Sequence, residues 1–325
     1  MRYFLATAAA FLFSVHTGNA AGLRLVRTIP LSGVNGRIDH FAIDLAGQRL
    51  FVCALGNNSV EVLDLRAGAR VKSITGLGAP QGVACTADGG RIFVANDNGG
   101  LCNIYDGRTY AQTGTIDYKD DADNMRYDAA AKRVYAGYGN GALGIIDAVT
   151  GKKLGDMELP GHPEAFQLEK NGTRIFVNVP DAHEVAVLDR AKGRVVATWR
   201  LGLSLANFPM ALDEGNHRLF IGCRVPATLL VLDTTNGREV AAEGIDDAVD
   251  DVFYDVANKL IYAICGQGCI SIIQQVDPNH YRTVKKIPTA AGARTGLFVP
   301  ELGSLFVAVP HRGAQQAEVR EYKVE

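Results

Sequence analysis

Ten side chains suited to binding chemistry recur along the chain at a near-regular interval: Asp39, His40, Gln81, Asp123, Asn124, Glu164, Asn207, Asp250, Asp251 and Arg294. Seven of them, Asp39, Gln81, Asp123, Glu164, Asn207, Asp250 and Arg294, fall once per interval. Carboxylates brought close together raise one another's pKa unless a cation compensates. A hard divalent cation of the calcium type, held by oxygens of Asp123, Glu164, Asn207 and Asp250, is one compensation. An ion pair with Arg294 is a second, and hydration or the capping of strand ends a third. His40, His162, His183 and His311 add a transition-metal reading, although no two of them have the tight spacing of a zinc motif. The sequence has no Gly-x-Ser-x-Gly elbow, and no Ser/His/Asp set is suggested by spacing, so no residue is assigned a catalytic role.

Residues so far apart can meet only if a regular scaffold brings them together, and the chain carries one. A basic residue, an aliphatic and then an aromatic or aliphatic recur as Arg49-Leu50-Phe51, Arg91-Ile92-Phe93, Arg133-Val134-Tyr135, Arg174-Ile175-Phe176, Arg218-Leu219-Phe220 and Lys259-Leu260-Ile261, with Ser304-Leu305-Phe306 as a weaker seventh copy. Successive anchors lie 42, 42, 41, 44, 41 and 45 residues apart. Residues 162–201 show the whole unit: four short alternating strands joined by tight polar turns. A period of about 40–45 residues with four strands per unit predicts a β-propeller. The fold expected is all-β, a seven-bladed propeller of four-stranded antiparallel blades.

The ends of the repeat array are complementary. Leu23 to Leu31 reads as a lone strand similar to the last strand of the internal units, and the final unit stops one strand short after Ala317 to Val324. Placing the N-terminal strand in the last blade closes the ring and removes an exposed seam. No linker divides residues 21–325, which read as a single propeller domain.

Within each blade, one set of turns is monotonous: Ala87-Asp88-Gly89-Gly90, Lys170-Asn171-Gly172-Thr173, and Asp147 to Gly151, Asp189 to Gly193 and Asp233 to Gly237. Asp and Asn bond nearby backbone amides there and Gly tolerates positive φ, so these turns are structural. The other face is uneven and richer, with Asp120-Asp121-Ala122-Asp123-Asn124, His162-Pro163-Glu164 and Asp246 through Asp251. Loops that the scaffold does not need in a regular form are where binding residues tend to lie. The connections leading into each innermost strand converge on the central channel, and they supply the ten side chains above.

Two stretches, Thr86-Ala87-Asp88-Gly89-Gly90-Arg91-Ile92-Phe93-Val94-Ala95-Asn96 and Val185-Ala186-Val187-Leu188-Asp189 with Lys192-Gly193-Arg194, resemble the YVTN-type propeller repeats of exported bacterial and archaeal proteins. The resemblance covers essentially the whole chain after residue 20 and departs from the pattern at Gln274-Gln275-Val276-Asp277 and Pro300-Glu301-Leu302-Gly303. It implies the fold and says little about chemistry. The function expected is a non-enzymatic binding or scaffold propeller that recognises a protein or small-molecule ligand at the channel mouth. The alternative resembles lactonase-type propellers, with the mouth acids holding a divalent metal that polarises an ester oxygen. A redox propeller fits poorly, since Trp199 is the single Trp and the histidines are scattered.

Bulk properties set the outer limits. The chain has 325 residues, a net charge of −2 and 21% charged residues, which argues against nucleic acid as a partner. Arg2, the apolar run Phe4 to Val15 and Gly18-Asn19-Ala20 read as a signal peptide over residues 1–20, too short for a membrane span. A periplasmic or secreted monomer is expected. Export permits disulfides, and Cys265-Gly-Gln-Gly-Cys269, flanking a turn, is the expected pair; Cys53, Cys85, Cys102 and Cys223 read as small buried hydrophobes.

Overall fold

The computed structural model describes residues 22–325; the expected signal peptide lies outside them. The chain forms seven sheets, each of four antiparallel strands, arranged as blades around a channel. The innermost strands are, in blade order, Phe41–Asp44, Pro80–Cys85, Ala122–Asp128, Phe166–Leu168, Leu205–Asp213, Val249–Asp255 and Gly296–Val299. Blade 4 shows the standard plan, continuing outward through Arg174–Val179, Glu184–Asp189 and Arg194–Arg200.

The repeated anchor is explained by packing between blades. Side chains of a strand alternate between its two faces, so the aliphatic and the aromatic of each anchor look at different neighbours. Phe51 shares a core cluster with Ile92 and Val94 of blade 2, Phe93 with Val134 of blade 3, and Phe220 with Ile261 of blade 6. Phe306 closes the circle by packing with Leu50 and Val52 of blade 1. Each is fully buried, contributing about 1.5–3 kcal/mol of apolar transfer.

The same parity corrects the anchor of blade 6. There Ile261 packs back toward blade 5 while Leu260 and Tyr262 pack forward with Leu305 and Val307 of blade 7. The repeating triplet is therefore Leu260-Ile261-Tyr262, one residue later than Lys259-Leu260-Ile261, and a buried leucine stands where blades 1 to 5 carry arginine. The lost arginine contact is replaced locally. Arg49 Nε binds Asp44 at 3.0 Å at the end of the blade 1 innermost strand, whereas in blade 6 the Tyr262 hydroxyl donates to Asp255 at 3.1 Å.

Ring closure follows the expected pairing. Leu23–Pro30 runs antiparallel to Glu318–Val324, with Leu23 opposite Val324 and Pro30 opposite Glu318. Ile29 is fully buried in the seam between blades 7 and 1. Arg27 binds Glu321 beside it and also reaches the Leu65 carbonyl of blade 1. On the inner side, Thr295 Oγ1 donates to the Ile38 carbonyl at 3.0 Å.

On the face of monotonous turns, the third strands of blades 1 to 6 end in Asp64, Asp106, Asp147, Asp189, Asp233 and Asp277. In each, one carboxylate oxygen accepts the N–H two residues on, as with Val149 N to Asp147 at 3.0 Å and Thr235 N to Asp233 at 2.8 Å. Arginines then bind the carbonyl that follows this Asp in the next blade: Arg49 to Gly107, Arg174 to Thr234 and Arg218 to Pro278. This face ties blade to blade.

The expected Cys265–Cys269 disulfide is not formed. The two residues are directly opposed across the strands Leu260–Cys265 and Cys269–Asp277, and all six cysteines are free thiols. The Cys269 thiol instead donates to Asp246 Oδ2 at 2.8 Å.

Candidate functional site

Four of the seven innermost strands are interrupted by a bulge on the side where the chain enters them. Pairing slips between Pro80 and Gly82, between Ala122 and Met125, between Asn207 and Met210, and between Val249 and Asp251. The residues released from the ladder are Gln81, Asp123 with Asn124, Phe208 with Pro209, and Asp250. A bulge frees one residue from regular alternation and re-aims its side chain. In the other three blades Asp39, Glu164 and Arg294 lie just ahead of the strand. Ala206 and Ala248 adopt φ of 55° and 61° beside two of these bulges, a left-handed conformation that costs an L-residue roughly 1–2 kcal/mol. Close strand approach also matters. A Cβ on Gly82 would lie 2.0 Å from the Asp123 carbonyl oxygen, so only glycine lets blades 2 and 3 meet at this point.

These side chains surround a polar cavity of about 200 Å³. Of the ten expected residues, His40, Gln81, Asp123, Asn124, Glu164, Asp250 and Arg294 line it directly. Asp39 is buried beside it, and Asp251 lines a second cavity of about 380 Å³ that follows the innermost strands through Phe41, Val83 and Met125. Asn207 does not reach the cavity. Its Nδ2 is engaged by Asn178 Oδ1 at 3.0 Å and the Glu184 carbonyl at 3.1 Å, stitching blades 4 and 5.

The site contains more positive charge than Arg294 alone. Arg37 and Arg224 also line the cavity. Arg37 pairs with Asp39 at 2.5 Å. Arg224 and Arg294 both bind Asp250, Arg294 through Nε at 2.7 Å, and the Arg224 guanidinium stacks 3.9 Å from the Phe208 ring centroid. His40 sits between Asp39 and Asp251, 3.6 Å from each. Burial opposes its charge, but Asp251 and Asp39 outweigh that and push its pKa up to about 10, so it is an imidazolium at neutral pH.

The opposite wall is acidic. Burial and the neighbouring Glu164 hold the Asp123 carboxyl well above the usual carboxylate range. Burial, with Asp250 and Asp39 nearby, pushes Glu164 up to about 7 against the favourable field of His162. Among the described residues no hydrogen bond or ion pair reaches the carboxylate of either. Gln81 donates to Asp121 at 3.0 Å, which turns the other Asp121 oxygen toward His162 Nε2 at 3.8 Å.

The four expected metal ligands are therefore not brought to one point. Both Asp250 oxygens face guanidinium groups, and Asn207 lies outside the cavity with its Nδ2 bonded to Asn178 and Glu184 and its buried Oδ1 unpartnered, which leaves Asp123 and Glu164. The residue that joins them is His162: one potential donor atom from each of Asp123, His162 and Glu164 lies within 4.8 Å of the other two. Arg37, Asp121, His162, Phe208 and Arg224 are the site residues that the one-per-blade pattern missed. His162 had a sequence signal, two positions before Glu164 across Pro163. Arg224 had none, because it comes from the end of the second strand of blade 5.

No protein-family model matches the chain. Two curated sequences, each called uncharacterized protein YncE, are similar to it: one from Salmonella typhimurium (strain LT2) with 24% identity and one from Salmonella typhi with 23%, both over 197 residues and 59% of this chain. The match spans 55% of those relatives, about half their length. Solved structures share the architecture. Kuenenia stuttgartiensis hydrazine synthase aligns with TM-score 0.76 and 16% identity, over 92% of this chain and 96% of that one. A mitotic checkpoint complex chain gives 0.77 and 13%, over 100% and 98%, and the WD40 repeats of RRP9 give 0.78 and 12%, over 94% and 100%. At such identities the likeness shows the fold alone.

Proposed function

We propose that the protein is a binding propeller that takes a small polar ligand, or a polar segment of a protein partner, into the mouth of its channel. One observation carries this reading: ionisable or amide side chains from all seven blades line a single cavity on the face freed from repetitive turns. A neighbouring cavity of about 380 Å³ shares Arg37 and Arg294 with the first and adds His311 and Arg312, so a basic rim adjoins the acidic wall. A ligand with an anionic group at the rim and hydrogen-bond donors toward Asp123 and Glu164 matches that polarity. The lactonase-type arrangement needs Asn207 and Asp250 turned to the same ion as Asp123 and Glu164, but Asp250 is paired with arginines and Asn207 does not line the cavity. With the leader read over residues 1–20, the ligand is one met in the periplasm or outside the cell. No helix among the described residues is long and apolar enough to cross a membrane.

The test is a thermal-shift screen of amino acids, dicarboxylates, sugar phosphates and polyamines, followed by calorimetry on each hit with wild type and Arg294→Ala. The expected result is a hit whose affinity falls at least about tenfold in the variant, in keeping with loss of one charge-assisted contact of about 1.5–3 kcal/mol. Hits bound equally well by both proteins would move the site away from the mouth.

A further inference from the structure

The acidic wall of the mouth holds carboxylates that no arginine pairs. Asp123 is only 6% exposed and its Oδ1 has no hydrogen-bond partner, although it faces a polar cavity. Glu164, whose carboxylate has no protein partner among the described residues, stands next to it. The arginines that could neutralise them are engaged elsewhere, Arg37 with Asp39 and Arg224 and Arg294 with Asp250. Buried unpaired carboxylates are costly, and proteins keep them where a cation completes the site.

His162 supplies the second, independent clue. Its Nδ1 lies 2.8 Å from the Gly139 carbonyl oxygen. A carbonyl can only accept, so Nδ1 carries the proton and, in the neutral ring, the lone pair is on Nε2. That nitrogen faces the Asp121 carboxylate at 3.8 Å, on the side of the ring where Asp123 and Glu164 cluster. Facing carboxylates, that nitrogen calls for a positive charge, either a second proton on Nε2 paired with Asp121 or a metal ion taken by the lone pair. An imidazole that donates one N–H to a backbone carbonyl and offers the other nitrogen is also the usual arrangement of a metal-bound histidine, since the carbonyl fixes the tautomer and the ring plane.

We infer that Asp123, His162 and Glu164 form a binding site for one divalent first-row transition-metal ion, such as zinc or manganese, at the mouth of the channel. The imidazole ligand separates this site from the oxygen-only calcium type, because nitrogen donors suit transition ions while calcium takes carboxylate, carbonyl and water oxygens. Three protein ligands leave at least one coordination position open. The cavity lies on that side, so the ion is within reach of a mouth ligand. Asp121, oriented by Gln81, is close enough to His162 to add negative charge around the ion. Asp250 takes no part, since both its oxygens face guanidinium groups.

The inference deepens the binding role proposed above and can fail separately from it. The full chain is stripped with chelator, and Zn²⁺, Co²⁺ and Ca²⁺ are titrated in turn by calorimetry, with Co²⁺ also followed by its visible absorption. The expected result is one Zn²⁺ or Co²⁺ per chain, bound at least about tenfold more tightly than Ca²⁺. His162→Gln should weaken Zn²⁺ by on the order of 100-fold or more, because loss of an outer partner alone costs roughly 10–100-fold, and it should shift the Co²⁺ absorption. Asp123→Asn gives the second variant, expected to lose the ion while melting at or above the wild-type temperature, which separates loss of a ligand from loss of fold. Absence of saturable Zn²⁺ or Co²⁺ binding would overturn the site, as would Zn²⁺ affinity unchanged in His162→Gln or Ca²⁺ bound as tightly as Zn²⁺. If the stripped protein binds none of the ions yet still takes up a screened ligand in an Arg294-dependent way, the metal site falls and the binding role stands.

Discussion

Aspartates do opposite things on the two faces of this ring. On the turn face, Asp64, Asp106, Asp147, Asp189, Asp233 and Asp277 each end a third strand and accept backbone N–H groups, and their carboxyls lie below the usual range. At Asp147 the cause is the pair of hydrogen bonds from Thr150, and at Asp233 the Thr235 hydroxyl. At the channel mouth, Asp121 and Asp123 lie above the usual range because burial disfavours their charge and, at Asp123, no donor compensates. The turn-face residues are satisfied by the fold itself. At the mouth Asp123 is left unsatisfied, and a polar group without a partner in an otherwise well-paired protein marks a place where something else binds.

The contrast can be broken most severely by opening the ring, on which both faces depend. Deleting residues 23–30 removes the buried Leu23 and Ile29 and exposes the edge of Glu318–Val324. The two side chains contribute about 1.5–3 kcal/mol each, and with the lost strand pairing the deficit approaches the whole stability of a typical domain, about 5–15 kcal/mol. Cooperative unfolding should disappear in denaturant titrations followed by circular dichroism. A truncated chain with an unchanged midpoint would refute the role of the closing strand.

A smaller and sharper comparison sets one aspartate from each face side by side. In chelator-treated protein, Asp123→Asn should raise stability, because it removes a buried charge that stands beside Glu164 without a compensating donor. Asp233→Ala should lower the urea midpoint, because it deletes acceptors for Thr235 N and the Thr235 hydroxyl. Opposite signs support the division of labour. If both variants lose stability, the mouth carboxylate belongs to the scaffold after all.

The smallest effect expected is in pH dependence. Burial opposes ionisation of Glu321, but hydrogen bonds from Arg27 and Ser304 hold its carboxyl below the ordinary glutamate value of 4.5. A group with a depressed folded pKa stabilises the native state above its unfolded pKa, and that stability is lost as pH falls through the folded value. Wild type should therefore lose stability below about pH 4.5 more steeply than Glu321→Gln, measured by thermal melts from pH 7 to pH 3. Parallel profiles would show that the Arg27–Glu321 pair does not contribute to the closing seam.

The sequence by itself was enough for the architecture. A period near 42 residues, an anchor whose aromatic must alternate with an aliphatic, and a lone strand matched by a unit one strand short leave few other ways to bury these side chains. Asp-x-x-x-Gly turns are legible for the same reason, since the hydrogen bonds of their Asp side chains join residues two or three apart. In blade 6 the sequence pattern points one residue early, because a basic residue happens to precede Leu260 and only packing shows which side chains face which neighbour. The convergence of Asp123, Glu164, Asp250 and Arg294 is readable from their place at the entry to each innermost strand. What those residues touch was not. Bulges decide which side chain leaves the ladder, and Arg224 reaches Asp250 from a neighbouring blade by a contact that no local pattern encodes. Whether a carboxylate meets an arginine, a backbone amide or an imidazole depends on distances set by the closed ring. For that reason the pairing of Asp250 with arginine, and of Asp123 and Glu164 with His162, was decided only by the tertiary structure.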